Sequence, residues 1–302
     1  MKIVLNSKGS GRGLSHWGKF LKDPCMRRIR LSEENEQEGE SSDTLMRGSI
    51  FHKLAELYHK RELNSDDLAS GLDFVTETGE THPGATGKAI SEAIQLMTYW
   101  VTGCPPDGLG KVIGTEVKFP VSENGIAAVK TALPFLDDDF TGAADIVTEI
   151  RSMAESANVG EMFTQFGAPL KMELDPGIWL WDFKTLTDLS MSYKFESGYQ
   201  EINYPWMFAL DNPDLRDKIR GIAYIGIATG RKRVMEPSID VIIHPFPHDQ
   251  KIEAMLRRIN AAKRVRDALL IDPDMPNREA CAPRYPNGSW CPHLESGQCD
   301  GY

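Results

Sequence analysis

The run WLWDFKT, Trp179 to Thr185, is an apolar segment broken by one acidic and one basic side chain. Side chains alternate along an extended strand, so Asp182 and Lys184 share one face while Trp181 and Phe183 take the other. A carboxylate and an ammonium side by side at the end of a buried strand can bind a divalent cation and hold an attacking water beside it. A surface ion pair is the plainer reading, and Asp249-Gln250-Lys251 shows that the tripeptide alone carries little information.

Other segments supply matching groups. FTGAADIV, Phe140 to Val147, sets Asp145 in a second apolar strand after a glycine, where an unpaired charge is costly unless it meets a cation. RGSIFHKLAEL, Arg47 to Leu57, places His52 and Glu56 at i and i+4 on one helical face beside an apolar stripe. A structural histidine would satisfy the same pattern. YQEINYPWMFAL, Tyr199 to Leu210, gives Gln200 and Tyr204 the same spacing, and an amide plus a phenol one turn apart can hydrogen-bond a phosphate or a nucleotide edge. On its own that pair also reads as an ordinary helix surface.

In chain order the pieces are G-x-x-x-H-x-x-x-E (Gly48, His52, Glu56), a strand glutamate (Glu116 of GTEVKF), G-x-x-D (Gly142, Asp145), D-x-K (Asp182, Lys184) and Q-x-x-x-Y (Gln200, Tyr204). This order and context resemble the RecB-like branch of the PD-(D/E)XK nuclease superfamily. The resemblance implies a restriction-endonuclease-like α/β core and a divalent-metal-dependent deoxyribonuclease, an exonuclease on single-stranded or frayed DNA ends, in DNA repair or recombination. It implies His52, Asp145 and Asp182 as metal ligands, with the Phe183 carbonyl as a possible addition. It further implies that Lys184 acts on the nucleophile and that Gln200 and Tyr204 contact DNA. Glu116 serves the catalytic site by binding a second metal or water or by orienting Lys184, and Glu56 is either functional or structural. Oxygen ligands suit Mg²⁺ or Mn²⁺, and an imidazole shifts the preference towards Mn²⁺. Two alternatives share the fold: a catalytically idle DNA-end-binding or scaffold subunit of a helicase or integrase complex, and a CRISPR-adaptation-like trimming nuclease.

Four of the five cysteines lie outside that core: Cys25, and Cys281, Cys291 and Cys299 in the C-terminal tail. One thiolate before the core and three after it would pin the two ends together across a loop of 256 residues. The arrangement is similar to the one-plus-three 4Fe-4S site of AddB-type and CRISPR-associated RecB-like nucleases. It departs from them in lacking C-x-x-C in the last group, and here the first ligand follows a proline. Four thiolates also fit structural Zn²⁺, in which His293 could replace one of them. Cys104 reads as a free thiol.

The elements that must position these groups follow from periodicity. Helices are expected over Ser15 to Lys22, Leu45 to Leu63, Gly87 to Val101, around Tyr199 to Leu210, and Lys251 to Leu270. Strands are expected over Lys111 to Phe119, Ala127 to Leu133, Phe140 to Ile150, Ile178 to Thr185, Ile219 to Ala228 and Ser238 to Ile243, with a turn at Asp175-Pro176-Gly177. This order suggests a mixed α/β fold, a central sheet flanked by helices. The resemblance implies in addition a Cys cluster joining the N- and C-terminal segments and one nuclease domain over 1–302: a leading helix with the first Cys and an acidic loop in 1–44, a core in 45–245 with a helical insertion near 64–110, and a C-terminal helix and three-Cys tail in 246–302.

The 302 residues carry 44 acidic and 34 basic side chains, a net charge of -10. The start, MKIVLNSKGSGRG, has no apolar secretory segment and no run is long enough to span a membrane, so the expected compartment is the cytoplasm. No Gly-Lys-Ser/Thr occurs, so this chain has no P-loop for ATP and any motor is a partner protein. The runs Glu33 to Glu40 and Asp137 to Asp139 hold eight of the acids, leaving 36 against 34 basic residues. An acidic total therefore does not exclude a DNA substrate. The basic helix around Arg257 to Arg266 either lines a DNA path or is a solvated face.

Overall fold

The computed structural model describes residues 1–5, 43–82, 84–134, 141–186, 189, 200–229 and 236–269. In chain order the elements are β1 (Lys2–Val4), α1 (Asp43–His59), α2 (Ser65–Ala69), β2 (Asp73–Val75), α3 (Gly87–Gly103), β3 (Lys111–Phe119), α4 (Glu123–Ala132), β4 (Gly142–Ile150) and α5 (Met153–Gln165). They continue with β5 (Gly177–Leu186), α6 (Gln200–Asp211), a 3₁₀ turn (Pro213–Lys218), β6 (Ile219–Ala228), β7 (Ser238–Pro245) and α7 (Asp249–Leu269). No helix among the described residues is long and apolar enough to cross a membrane.

A five-stranded mixed sheet in the order β3-β4-β5-β6-β7 forms the centre. Only β5 and β6 run parallel, joined through α6 as a crossover must be. The central strands read as continuous apolar runs because both faces are covered. Trp179, Trp181 and Phe183 of β5 pack with α1, α3 and α5, while Ile178 and Leu180 pack with α4, α6 and α7. The stretch 64–110 holds α2 and α3 and also β2, which pairs in parallel with β1.

One expected strand is a helix. Residues 127–133 belong mostly to α4, whose N-cap Ser122 accepts from the Gly125 N–H at 3.0 Å. Val129 and Leu133 are buried one turn apart, a helical period that a β-rich composition disguised. The sequence reading also assigned no element to α5, which Ser152 caps through the Glu155 N–H at 3.2 Å. Cys25, Cys281, Cys291, Cys299 and His293, with the leading helix and the three-Cys tail, lie outside the described residues. Cys104 is a buried free thiol 3.4 Å from the Pro105 carbonyl, and burial pushes its pKa up.

His59 closes α1 and anchors the helical layer. Its Nδ1–H donates to the Pro106 carbonyl at 2.7 Å, which leaves Nε2 to accept from Trp100 Nε1 at 3.2 Å. Burial penalises the imidazolium and outweighs the opposing pull of Pro106 and Asp107, so the pKa drops to about 4. An unfolded chain therefore takes up this proton first, and the stability held above about pH 6.5 is lost as the pH falls to about 4. The contribution is on the order of 3 kcal/mol. In urea titrations across that window, His59→Gln should start less stable at neutral pH and lose less on acidification than the parent; equal losses in both proteins would refute the assignment.

Candidate functional site

β4 and β5 pair from Ile150↔Gly177 to Ile146↔Trp181, and the ladder ends there. Asp145 and Asp182 take the next position on each strand, where the strands part. Beyond the ladder, the Phe183 N–H donates to Asp145 Oδ2 at 2.5 Å. On the opposite edge of β4, the pairs Thr115↔Ile146 and Val117↔Ala144 bracket Glu116, which places it across from Asp145. A register shift between Val112 and Gly114 precedes it, and Glu116 adopts φ 48. Left-handed backbone at a non-glycine residue costs about 1–3 kcal/mol and persists only where the surroundings enforce it. Bulges of this kind re-aim side chains. β4 is irregular at the same level: Ala144 packs in the α6-side core and Ile146 in the α1-side core, although strict alternation would give them one face.

α1 brings the histidine. Gly48 sits one turn before His52, and a Cβ there would stand 3.3 Å from Thr185 Oγ1, so glycine lets the helix lie close on β5. His52 Nδ1 is 2.7 Å from Asp145 Oδ1. His52, Glu116 and Asp145 each offer one ligand atom, and these atoms lie within 4.8 Å of one another. That grouping includes Glu116; Asp182 stands beside it on β5.

The carboxyl groups diverge in their electrostatics. Burial alone would raise Asp145, but His52, the Phe183 N–H and Lys184 together hold it below the usual range. Burial would lower His52, but Asp145 and Asp182 overcome that and raise it. Burial and then the Asp145 charge push Glu116 up to about 7. Burial also raises Asp182, with Asp145 adding to it and Lys184 opposing. Three acids thus crowd a pocket with too little positive charge for all of them.

Asp182 and Lys184 form an ion pair on one face of β5, as alternation requires. The Lys184 ammonium lies 5.8 Å from the ring centroid of Tyr224, the residue of β6 in register with Asp182. Tyr224 is fully buried and had no signal in the sequence, because its neighbours are set by a parallel pairing across a crossover. Gln200 and Tyr204 meet on α6, where Gln200 Nε2 donates to the Tyr204 hydroxyl at 3.0 Å. Burial raises the Tyr204 pKa, and the Asp182 and Asp145 charges add to it, which places the hydroxyl beside the acids. Gly142 makes room for this helix: a Cβ there would stand 2.7 Å from the Phe119 ring and 2.8 Å from the Tyr204 ring.

His52, Glu116, Asp145, Asp182 and Lys184 therefore converge, with Gln200 and Tyr204 alongside. Glu56 is committed elsewhere, to Lys53 at 2.7 Å and Lys60 at 2.6 Å. The Phe183 contribution seen here is its N–H rather than its carbonyl. Of the basic residues expected around 257–266, the side chain of Arg257 is described; it is exposed and pairs with Glu253 at 2.9 Å.

No protein-family model and no curated protein matches the chain. Among solved structures it is similar to a crystal structure from Eubacterium rectale named "Putative exonuclease", at 13% identity and a TM-score of 0.42, over 88% of this chain and 82% of that one. Similarity at that level carries no weight for fold or function.

Proposed function

We propose that the chain is a divalent-metal-dependent nuclease that hydrolyses phosphodiester bonds of DNA, acting as an exonuclease on single-stranded or frayed ends. The observation that carries the reading is the convergence of His52, Glu116, Asp145, Asp182 and Lys184 where β4 and β5 part. The residues fit a cation: one imidazole and two carboxylates have ligand atoms within 4.8 Å, and burial, with the Asp145 charge adding to it, raises two carboxyl groups there. His52, Glu116 and Asp145 would hold it, with Asp182 as a further oxygen donor on the adjoining strand. Mg²⁺ or Mn²⁺ suits such a nitrogen and oxygen set. A divalent ion in this position lowers the pKa of water and offsets the charge that builds on phosphoryl oxygens.

The chain's own groups do the rest. Asp182 holds the Lys184 ammonium at the mouth of the site, where its remaining protons can orient an attacking water. The Phe183 N–H and His52 fix Asp145 in one orientation. The Gln200 amide and Tyr204 hydroxyl offer polar contacts to the sugar-phosphate backbone on the α6 side. Action on DNA ends rests on the family resemblance, as does a helicase or integrase partner. A 4Fe-4S cluster on Cys25, Cys281, Cys291 and Cys299 belongs to the same proposal on the cysteine pattern alone.

Purified protein should degrade linear single-stranded DNA with Mn²⁺ or Mg²⁺ and stop on chelation. Asp182→Ala and Lys184→Ala should each lower kcat by at least ~100-fold with an unchanged circular dichroism spectrum. Residual activity equal in the parent and both variants would sink the enzyme reading.

Calorimetric titration with Mn²⁺ separates binding from chemistry. Glu116→Gln and Asp145→Asn should weaken the ion by more than the ~10–100-fold typical of losing an outer partner, while Lys184→Ala still binds it. Undiminished Mn²⁺ affinity in Glu116→Gln would remove Glu116 from the ligand set. For the cluster, the expected result is a brown preparation whose visible absorption bleaches on reduction; colourless protein with stoichiometric zinc would overturn it.

A further inference from the structure

The Lys53–Glu56–Lys60 group on α1 has no part in the chemistry above, yet its geometry is specific. Glu56 is buried, with a side chain 10% exposed, and both lysines reach it: Lys53 Nζ at 2.7 Å and Lys60 Nζ at 2.6 Å. One ammonium would neutralise the carboxylate; the second leaves the trio itself with a net positive charge, with Glu62 and Glu116 acting on Lys60 from outside it. The lysine side chains stay 32% and 40% exposed, so neither is shut away from solvent. Each ammonium carries three N–H donors and gives one to Glu56.

The position is as specific as the charge. At 3.6 residues per turn, Glu56 lies roughly 40° around α1 from His52, with Lys60 and Lys53 roughly 80° and 100° round on the same side. Glu56 and Glu116 interact electrostatically, and so do Glu116 and Lys60, which puts the trio on the β3 side of the metal-ligating group. Glu56 stands about 6 Å along the helix axis from His52, or about two phosphates of a stacked strand.

We infer that Lys53 and Lys60, positioned by Glu56, form a phosphate clamp that holds the nucleic-acid backbone next to the scissile position. The clamp rests on the nuclease reading for its substrate class. Glu56 acts here as a positioning residue: it fixes two long side chains that would otherwise lose rotamer freedom when a phosphate binds. This also accounts for a buried glutamate one turn from His52 that does not join the ligand group. Lys184 then serves the attacking water, and the clamp serves the phosphates that flank the reacting one.

The test is the binding of a fluorescent single-stranded oligothymidylate to the full chain, without divalent metal, across a salt series. Lys53→Gln and Lys60→Gln remove charge while keeping a donor for Glu56, and each single variant leaves the other lysine in place, so the fold is preserved. Each should weaken binding several-fold at low salt and flatten the slope of log affinity against log salt by about 0.7, the value for one lost contact on a single strand. Lys53→Arg and Lys60→Arg should retain the parent slope. Parent affinity and slope in both glutamine variants would overturn the clamp and leave the trio as helix-stabilising ion pairs. Cleavage by the parent with Mn²⁺ is scored separately: a flattened slope with an inactive parent sinks the nuclease reading and keeps the clamp, whereas an active parent with unaltered slopes sinks the clamp alone.

Discussion

A buried carboxylate persists only where donors meet it, and the end of the β4–β5 ladder is where Asp145 finds them. The Phe183 N–H takes one oxygen and His52 the other. Each of those donors implies a larger arrangement. The first needs β5 to run past the last pair of the ladder. The second needs α1 close on the sheet, which Gly48 permits against Thr185. Glu116 is drawn into the same place by the register of β3 and its left-handed backbone, an energetic cost that the rest of the sheet sustains. A side chain at Gly142, three residues before Asp145, would press the Phe119 and Tyr204 rings.

Much of this was legible in the sequence. Alternation in WLWDFKT put Asp182 and Lys184 on one face, and the ion pair they form confirms that geometry. Helical spacing put His52 on the sheet-facing side of α1, and it brought Gln200 and Tyr204 within hydrogen-bonding distance. Local periodicity succeeds in these cases because each pair lies within one element. It fails where the determining contact is remote. KVIGTEVKF marked Glu116 only through the family resemblance; that its carboxylate lies within 4.8 Å of ligand atoms of His52 and Asp145 is decided by the bulge and the β3–β4 register. Tyr224 was invisible for the same reason, and the strand expected at 127–133 failed because Ile126, Val129 and Leu133 carry a helical period in β-branched and aliphatic residues.

The pocket presents an electrostatic problem that the fold does not solve unaided. Glu116, Asp145 and Asp182 share a buried space with His52 and Lys184, and the neighbouring charges cannot keep all three acids at their ordinary pKa values. A site meant only for stability gains little from this arrangement, since apolar residues of similar volume would fill the space without the desolvation penalty. Acids that stand in excess of their partners are instead the arrangement in which a divalent cation contributes most, because its charge is the largest local term wherever it binds.

That same excess bears on how a polyanion approaches a chain of net charge -10. On the proposed reading, a backbone phosphate would meet repulsion from these acids until a cation offset them, so affinity would have to come from fixed positive charge nearby and not from the average field. Lys184 is tied to Asp182, and Arg257 is spent on Glu253, so neither offers a free full charge. The trio on α1 differs because it binds two ammonium groups to one carboxylate, and the surplus lies one helical turn from His52. If the proposed clamp is right, a local surplus beside a local deficit is the charge pattern that would let an acidic protein hold a phosphate strand at one place while repelling it elsewhere.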